Sequence, residues 1–328
     1  MCRLHIINGL PFTGAAASNA ELHKYGHYSA PYWVAESIRA SRHYTTDLAA
    51  ADVIFVKDYC LITSIIAMYH SGAYSDGWEP LAQLGLAYKI IAKSARYKRR
   101  NGADYVFFSP HAVAGLGGYI ETACNMFKSA LHIVAEASQR YVCGYVQPEA
   151  RDNLLVVPYA SPHLEEEPQP GPKHNRDIHF YFHGGCAPND SEGSYGYRMR
   201  AYIVKRIQQL KLRDASVTCT SDRPVVSHAV IRQEMRRAVF CLLLPGDTAS
   251  SSRLTEIVLA GCIPVFLGPP WHAQPLAARL RYPDFSVFFQ LDALSHLGGA
   301  SLGVPHEPLA GQAASSVWDQ QWYAPICS

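Results

Sequence analysis

"VFCLLLPGDTASSSRLTEIVLAGCIPVFLG", residues 239 to 268, decides the fold. "VFCLLLP" (239–245) is apolar without alternation, as a strand buried on both faces must be. "RLTEIVLAG" reads as a helix closed by Gly261 as its C-cap, and "CIPVFLG" is apolar again. Strand, helix and strand in so short a span make a parallel unit, and parallel sheets carry helices on their faces.

The same alternation extends upstream. "DIHFYFHGG" (177–185) and "ASVTCT" (215–220) read as strands, and "GYRMRAYIVKRIQQL" (196–210) and "SHAVIRQEMRRA" (227–238) as helices. An earlier series has the same form. "APYWVAESIRAS" (30–41) predicts a helix, "AADVIFVKDY" (50–59) a strand, 61–69 with 79–97 a long helical stretch, and "GADYVFFSPH" (102–111) a strand. A helix over 121–138 and a strand over 153–160 complete it. Between the two series lies "EEEPQPGPKHNR" (165–176), rich in proline and charge, which reads as a linker. The expected organisation is two doubly wound α/β units with a cleft between the carboxyl ends of their sheets, where open α/β sheets bind ligands.

Composition narrows the function. The 328 residues are enough for two domains, and 48% apolar with 17% charged residues suits a sizeable core. A net charge of +2 gives no electrostatic support for nucleic-acid binding. The basic run "RYKRR" (96–100) reads as a solvated face. No apolar run reaches the ~20 residues of a membrane span, and the start "MCRLHIINGL" lacks a signal-peptide core; the expectation is a soluble chain or one whose anchor lies upstream. The nine cysteines form no CxxC pair, and Cys241 and Cys262 read as plain buried residues.

Three places carry chemistry. Ser251 and Ser252 stand where a helix N-cap belongs; with free first-turn amides and Arg253 they form an anion site. Glu256, one turn on, can accept hydrogen bonds from a ribose diol, so the cluster suits a nucleotide, although a merely well-capped helix has the same pattern. Second, "FYFHGG" ends a strand in glycines (Gly184 and Gly185) that let backbone approach a diphosphate, with Arg198 and Arg200 on the following helix. Third, His111 and Asp58 follow strands of the first half and are rival candidates for a base. The chain has no Asp-x-Asp pair of the kind that holds a nucleotide through a metal, so no metal or other cofactor is expected.

Taken in order, "FYFHGG", "YRMRAYI", "FCLLLPGDTASSSRLTEIVLAGCIPVFLG" and "YPDFSVFF" resemble the exostosin-like glycosyltransferases of family 47. "AADVIFVKDY" and "GADYVFFSPH" resemble that family's N-terminal strands more loosely, and the resemblance covers roughly residues 20–290. It departs at Ala112, where the family often has Asp after the histidine, and at Pro269 and Pro270, where an acidic residue usually follows the strand. The resemblance implies a GT-B fold of two Rossmann-like domains facing a central cleft. On that pattern 1–165 is the acceptor-side domain, 166–176 the linker, 177–292 the nucleotide-sugar-binding domain and 293–328 an atypical, disordered tail. It implies metal-independent, inverting sugar transfer from a nucleotide sugar, commonly UDP-linked, to a glycan acceptor, in the Golgi and in hetero-oligomers with related transferases. It places Arg200, Ser252, Arg253 and Glu256 on donor-binding positions and Gly184 on the phosphate-facing turn. The alternative is a non-catalytic glycan- or nucleotide-sugar-binding subunit of a transferase complex.

Overall fold

The computed structural model describes residues 2–8, 29–57, 88–109, 127–135, 153–159, 176–187, 195–222, 226–246, 251–267, 274–277 and 279–289. The chain divides into two compact units, Met1–Pro162 and His163–Ser328. Each holds a five-stranded sheet whose described pairings are all parallel. The protein is therefore α/β, as the alternating apolar runs predict.

The first unit contains β1 (Leu4–Asn8), β2 (Val53–Lys57), β3 (Tyr105–Ser109), β4 (Leu131–Val134) and β5 (Leu154–Val156), in the order β1-β2-β3-β4-β5. Described helices are α1 (Ala30–Ala40), a segment at 88–93 and α2 (Ala95–Arg100). Side-chain alternation divides the core between the two sheet faces. Ile54 and Val56 pack with Tyr88, Ile91 and Phe127, and Phe55 packs with Ala30 and Ala35 of α1.

Four expectations need correction here. Among the described strands the order never reverses, so these five form a parallel sheet covered on both faces without the reversed order of a doubly wound one. Residues 131–134 form a strand where the sequence suggested helix. Alternate side chains His132 and Val134 turn inward there, and β4 fills the gap between β3 and β5. The helix expected up to residue 97 breaks at Ser94. That residue is extended (φ −63°, ψ 145°), and its hydroxyl accepts from the Tyr97 amide, so it starts α2. Finally, "RYKRR" is not wholly solvated. Arg96 is 11% exposed, pairs with the 3%-exposed Asp104 at 2.8 Å, and donates to the carbonyls of Leu48 and Ala51. β1 adds a strand that the sequence reading passed over.

The second unit contains β6 (Ile178–Gly184), α3 (Tyr195–Gln209), β7 (Ala215–Cys219), α4 (His228–Arg237), β8 (Ala238–Leu243), α5 (Arg253–Leu259), β9 (Ile263–Leu267) and β10 (Val287–Phe289). Its order is β10-β9-β8-β6-β7. Read from β7, this is the doubly wound 2-1-3-4-5 pattern, with its switch point between β6 and β8. Phe182, Leu242, Leu244, Val265 and Leu267 face α3 through Met199 and Ile203. Tyr181, Cys241, Leu243 and Phe266 face α4 and α5 through Ile231, Met235, Leu254 and Ile257. Consecutive residues thus serve opposite faces, and the chain leaves β6 toward one face and β8 toward the other.

Gly261 ends α5 at φ +67°, a conformation that costs glycine little. Its amide bonds the Val258 carbonyl and the Cys262 amide bonds the Ile257 carbonyl. Cys262 and Cys241 are disulfide-bonded (Cα–Cα 5.9 Å), as are Cys186 and Cys219 (5.6 Å). The expectation that Cys241 and Cys262 are plain buried thiols is therefore wrong. Neighbouring strands bring them together, a proximity that their separation of 21 residues does not reveal. No helix among the described residues is long and apolar enough to cross a membrane.

Candidate functional site

The carboxyl ends of β6 and β8 lie side by side, and the loops leaving them part toward opposite faces of the sheet. Open α/β sheets bind ligands at such divergences. A helix joining two parallel strands starts at the carboxyl end of the first. Gly184, the start of α3 and the start of α5 therefore share one end of this sheet.

The turn after β6 is held at three successive residues. The Gly185 carbonyl accepts from Nη1 of Arg200 at 3.1 Å. Cys186 is bridged to Cys219 at the end of β7. The Ala187 amide donates to the Tyr197 carbonyl at 3.1 Å. Across the divergence, Nη2 of Arg200 donates to the Leu244 carbonyl at 3.1 Å, just beyond β8. The guanidinium carbon lies over the Tyr197 ring, 4.9 Å from its centroid. The first turn of α3 rests directly on the loop after β8. A Cβ on Gly196 would lie 2.0 Å from the Gly246 carbonyl oxygen, so no side chain fits there.

These contacts distinguish the surroundings of two arginines expected to bind the donor. Arg198 and Arg200 both lie near the start of α3, but two residues turn a helix by about 200°. Arg198 is exposed, whereas Arg200 is half-buried and hydrogen-bonded to two backbone carbonyls.

The start of α5 also differs in detail from expectation. Ser252 is the N-cap residue but has helical backbone angles (φ −58°, ψ −22°), and its hydroxyl makes no capping hydrogen bond. The cap comes from Ser251, whose Oγ accepts from the Arg253 amide at 3.3 Å. Arg253 and Glu256 pair through Nη1 and Oε2, with their side chains 28% and 9% exposed. The fork expected to face phosphate and the carboxylate expected to face ribose thus hold each other, which fixes both on one side of α5. Glu256 has two carboxylate oxygens, each with two lone pairs, and the ion pair uses only part of that capacity.

His111 and Asp58 lie outside the described residues, so the structure leaves the base unassigned. The reading of the sequence missed the clamp that Arg200 makes and the Cys186–Cys219 bridge. The only signal was placement: both cysteines fall at the ends of neighbouring strands. Among the described residues no group of His, Cys, Asp and Glu side chains is arranged to hold a metal ion.

A family model, the exostosin GT47 domain, matches residues 13–299. The chain belongs to the exostosin GT47 family. Among curated proteins it is 29% identical over 225 residues to a probable glucuronosyltransferase of Oryza sativa subsp. japonica, covering 66% of this chain and 50% of that protein. It is 32% identical over 203 residues to a probable glucuronosyltransferase of Physcomitrium patens, covering 59% and 42%. It is 28% identical over 231 residues to a probable beta-1,4-xylosyltransferase of Arabidopsis thaliana, covering 67% and 52%. The chain spans about half the length of the curated relatives it matches.

Proposed function

We propose that this GT47 chain is an inverting, metal-independent glycosyltransferase of the GT-B type that moves a sugar from a UDP-sugar to a glycan acceptor. The observation that carries the proposal is the switch point of the second sheet, where Gly184, Gly185, Arg198 and the Ser251–Glu256 segment share the carboxyl end of β6 and β8. Backbone amides, Arg198 and Arg253 offer positive potential to a diphosphate, and Glu256 offers an acceptor to the ribose hydroxyls. The absence of an Asp-x-Asp pair in the whole sequence supports a site that neutralises the diphosphate without a metal.

In the proposed reaction the acceptor hydroxyl oxygen forms a bond to the anomeric carbon as the bond from that carbon to UDP breaks. UDP leaves with the bonding electrons, and its growing charge is met by the arginines. The acceptor proton passes to a base of the first unit, His111 or Asp58. The relatives named as glucuronosyl- and xylosyltransferases support glucuronic acid or xylose as the transferred sugar. The two disulfides among the described residues support a secretory compartment, in keeping with a Golgi enzyme, because such bonds persist where the lumen is oxidising.

The test is to incubate the protein with UDP-glucuronic acid or UDP-xylose and a xylan oligosaccharide, in excess chelator, and to follow UDP release and anomeric configuration by NMR. The proposal expects a product of inverted configuration at an undiminished rate. Retention of configuration, or activity restored only by manganese or magnesium, contradicts it. Donor binding without turnover, alone and with a related transferase, would instead identify a non-catalytic subunit.

A further inference from the structure

The Arg200 side chain bonds to both loops that part at the switch point. Its two Nη atoms take the carbonyls of Gly185 and Leu244, each at 3.1 Å. Its Cζ lies over the Tyr197 ring, and the Tyr197 carbonyl accepts from the Ala187 amide. Gly246 leaves room for this arrangement, since a Cβ there would sit 3.0 Å from Nη2 of Arg200. A planar fork can span two fixed acceptors in this way; an ammonium cannot hold both at once with the same geometry. A carbonyl that points at Arg200 fixes its peptide plane: at Gly185 this sets the direction of the Cys186 amide, and at Leu244 it sets the plane of the bond to Pro245, which has no N–H, and so the course of the chain into Gly246.

We propose that Arg200 is a positioning residue for the donor site. It locks the Gly185–Ala187 turn and the Leu244–Gly246 turn into the single geometry that receives the diphosphate, and it acts through those turns rather than by contact with the donor. This rests on the glycosyltransferase reading above, but its structural half stands without it. A charge acting directly on phosphate is largely replaced by lysine; a two-carbonyl clamp is not.

The test compares Arg200→Lys and Arg200→Ala with the parent protein and with Arg206→Ala, an exposed site on the same helix. Amide exchange of residues 185–187 and of Leu244 and Gly246 is followed without donor. UDP affinity and, where turnover is measured, KM and kcat are followed alongside. Both Arg200 variants are expected to speed exchange at Ala187 at least tenfold while β8 and β9 stay protected. Both are expected to weaken UDP binding about 10- to 100-fold, to within threefold of each other, with free guanidinium restoring much of the loss in Arg200→Ala. Arg206→Ala is expected to match the parent.

A lysine variant that keeps near-parental UDP affinity, beside an alanine variant that loses it, would overturn the proposal in favour of direct charge contact. So would unchanged Ala187 exchange in both. Failure of both variants to fold would overturn it in favour of a purely global role. If the parent binds no UDP, the glycosyltransferase reading fails by itself, and the exchange data still decide whether Arg200 holds the two turns.

Discussion

Removal of the Cys186–Cys219 bridge is the perturbation whose size follows most directly from the structure. The bond joins residues 33 apart in sequence. In the chain-entropy model, closing a loop of that length in the unfolded state is worth about 3.7 kcal/mol at 25 °C. The bridge also pins the turn after β6, beside the carbonyl that Arg200 holds. Cys186→Ala with Cys219→Ala removes the bond without leaving a reactive thiol. Cys219 is 6% exposed and faces the Met199 and Ile203 cluster, so alanine there adds a small cavity cost. Urea unfolding of the oxidised parent and the double variant, at matched pH, is expected to show about 3–4 kcal/mol lost. Because the bond pins the turn after β6 that borders the switch point, UDP affinity is expected to fall as well, even in urea-free buffer where the variant is folded. A loss below about 1 kcal/mol would refute the reasoning, since the loop closure would then be contributing almost nothing. An unchanged UDP affinity in the folded variant would refute the link between this bond and the site.

Three further outcomes are expected. Glu256→Ala should weaken uridine nucleotide binding by roughly 1.5–3 kcal/mol by calorimetry, the range for a hydrogen bond involving a charged group; an unchanged dissociation constant in a folded variant removes Glu256 from the donor site. Arg96→Ala leaves the Asp104 carboxylate, 3% exposed, without its main partner, and should cost about 3–5 kcal/mol in thermal or urea unfolding; a loss under 1 kcal/mol would show that water or Arg100 replaces it. Burial pushes the His132 imidazole below its ordinary value, only partly offset by its hydrogen bond to the Phe127 carbonyl. The unfolded chain therefore takes up its proton first, and stability present above about pH 6.5 is lost as pH falls toward the folded-state value. His132→Gln should flatten that slope, and an identical slope in parent and variant would assign it to other groups.

The second unit was legible because its strands carry continuous apolar runs and its helices have clear ends. Gly261 in particular closes α5 with the hydrogen-bond pattern its place in the sequence suggests. The first unit was harder to read for local reasons. Leu131–Val134 follows "ETACNMFKSA", whose composition favours helix, and only pairing with β3 and β5 makes the segment a strand. β1 is five residues long and next to the chain start, where no preceding pattern announces it. At the site, the residue types were readable and the contacts were not. Arginine at 200 suggested phosphate, and only the fold reveals that its donors are directed at the carbonyls of Gly185 and Leu244. Serine at 252 suggested a cap, yet its helical backbone angles pass the capping role to Ser251. Such details depend on which strand lies beside which, and a single sequence does not state that directly.

The claim that the second unit receives a nucleotide sugar is tested most directly by calorimetric titration of the purified protein with UDP, with and without chelator. The account predicts saturable one-to-one binding, unaltered by chelator and weakened by Glu256→Ala. No detectable heat for UDP or any UDP-sugar up to millimolar concentrations, from a protein shown by circular dichroism to be folded, would contradict it.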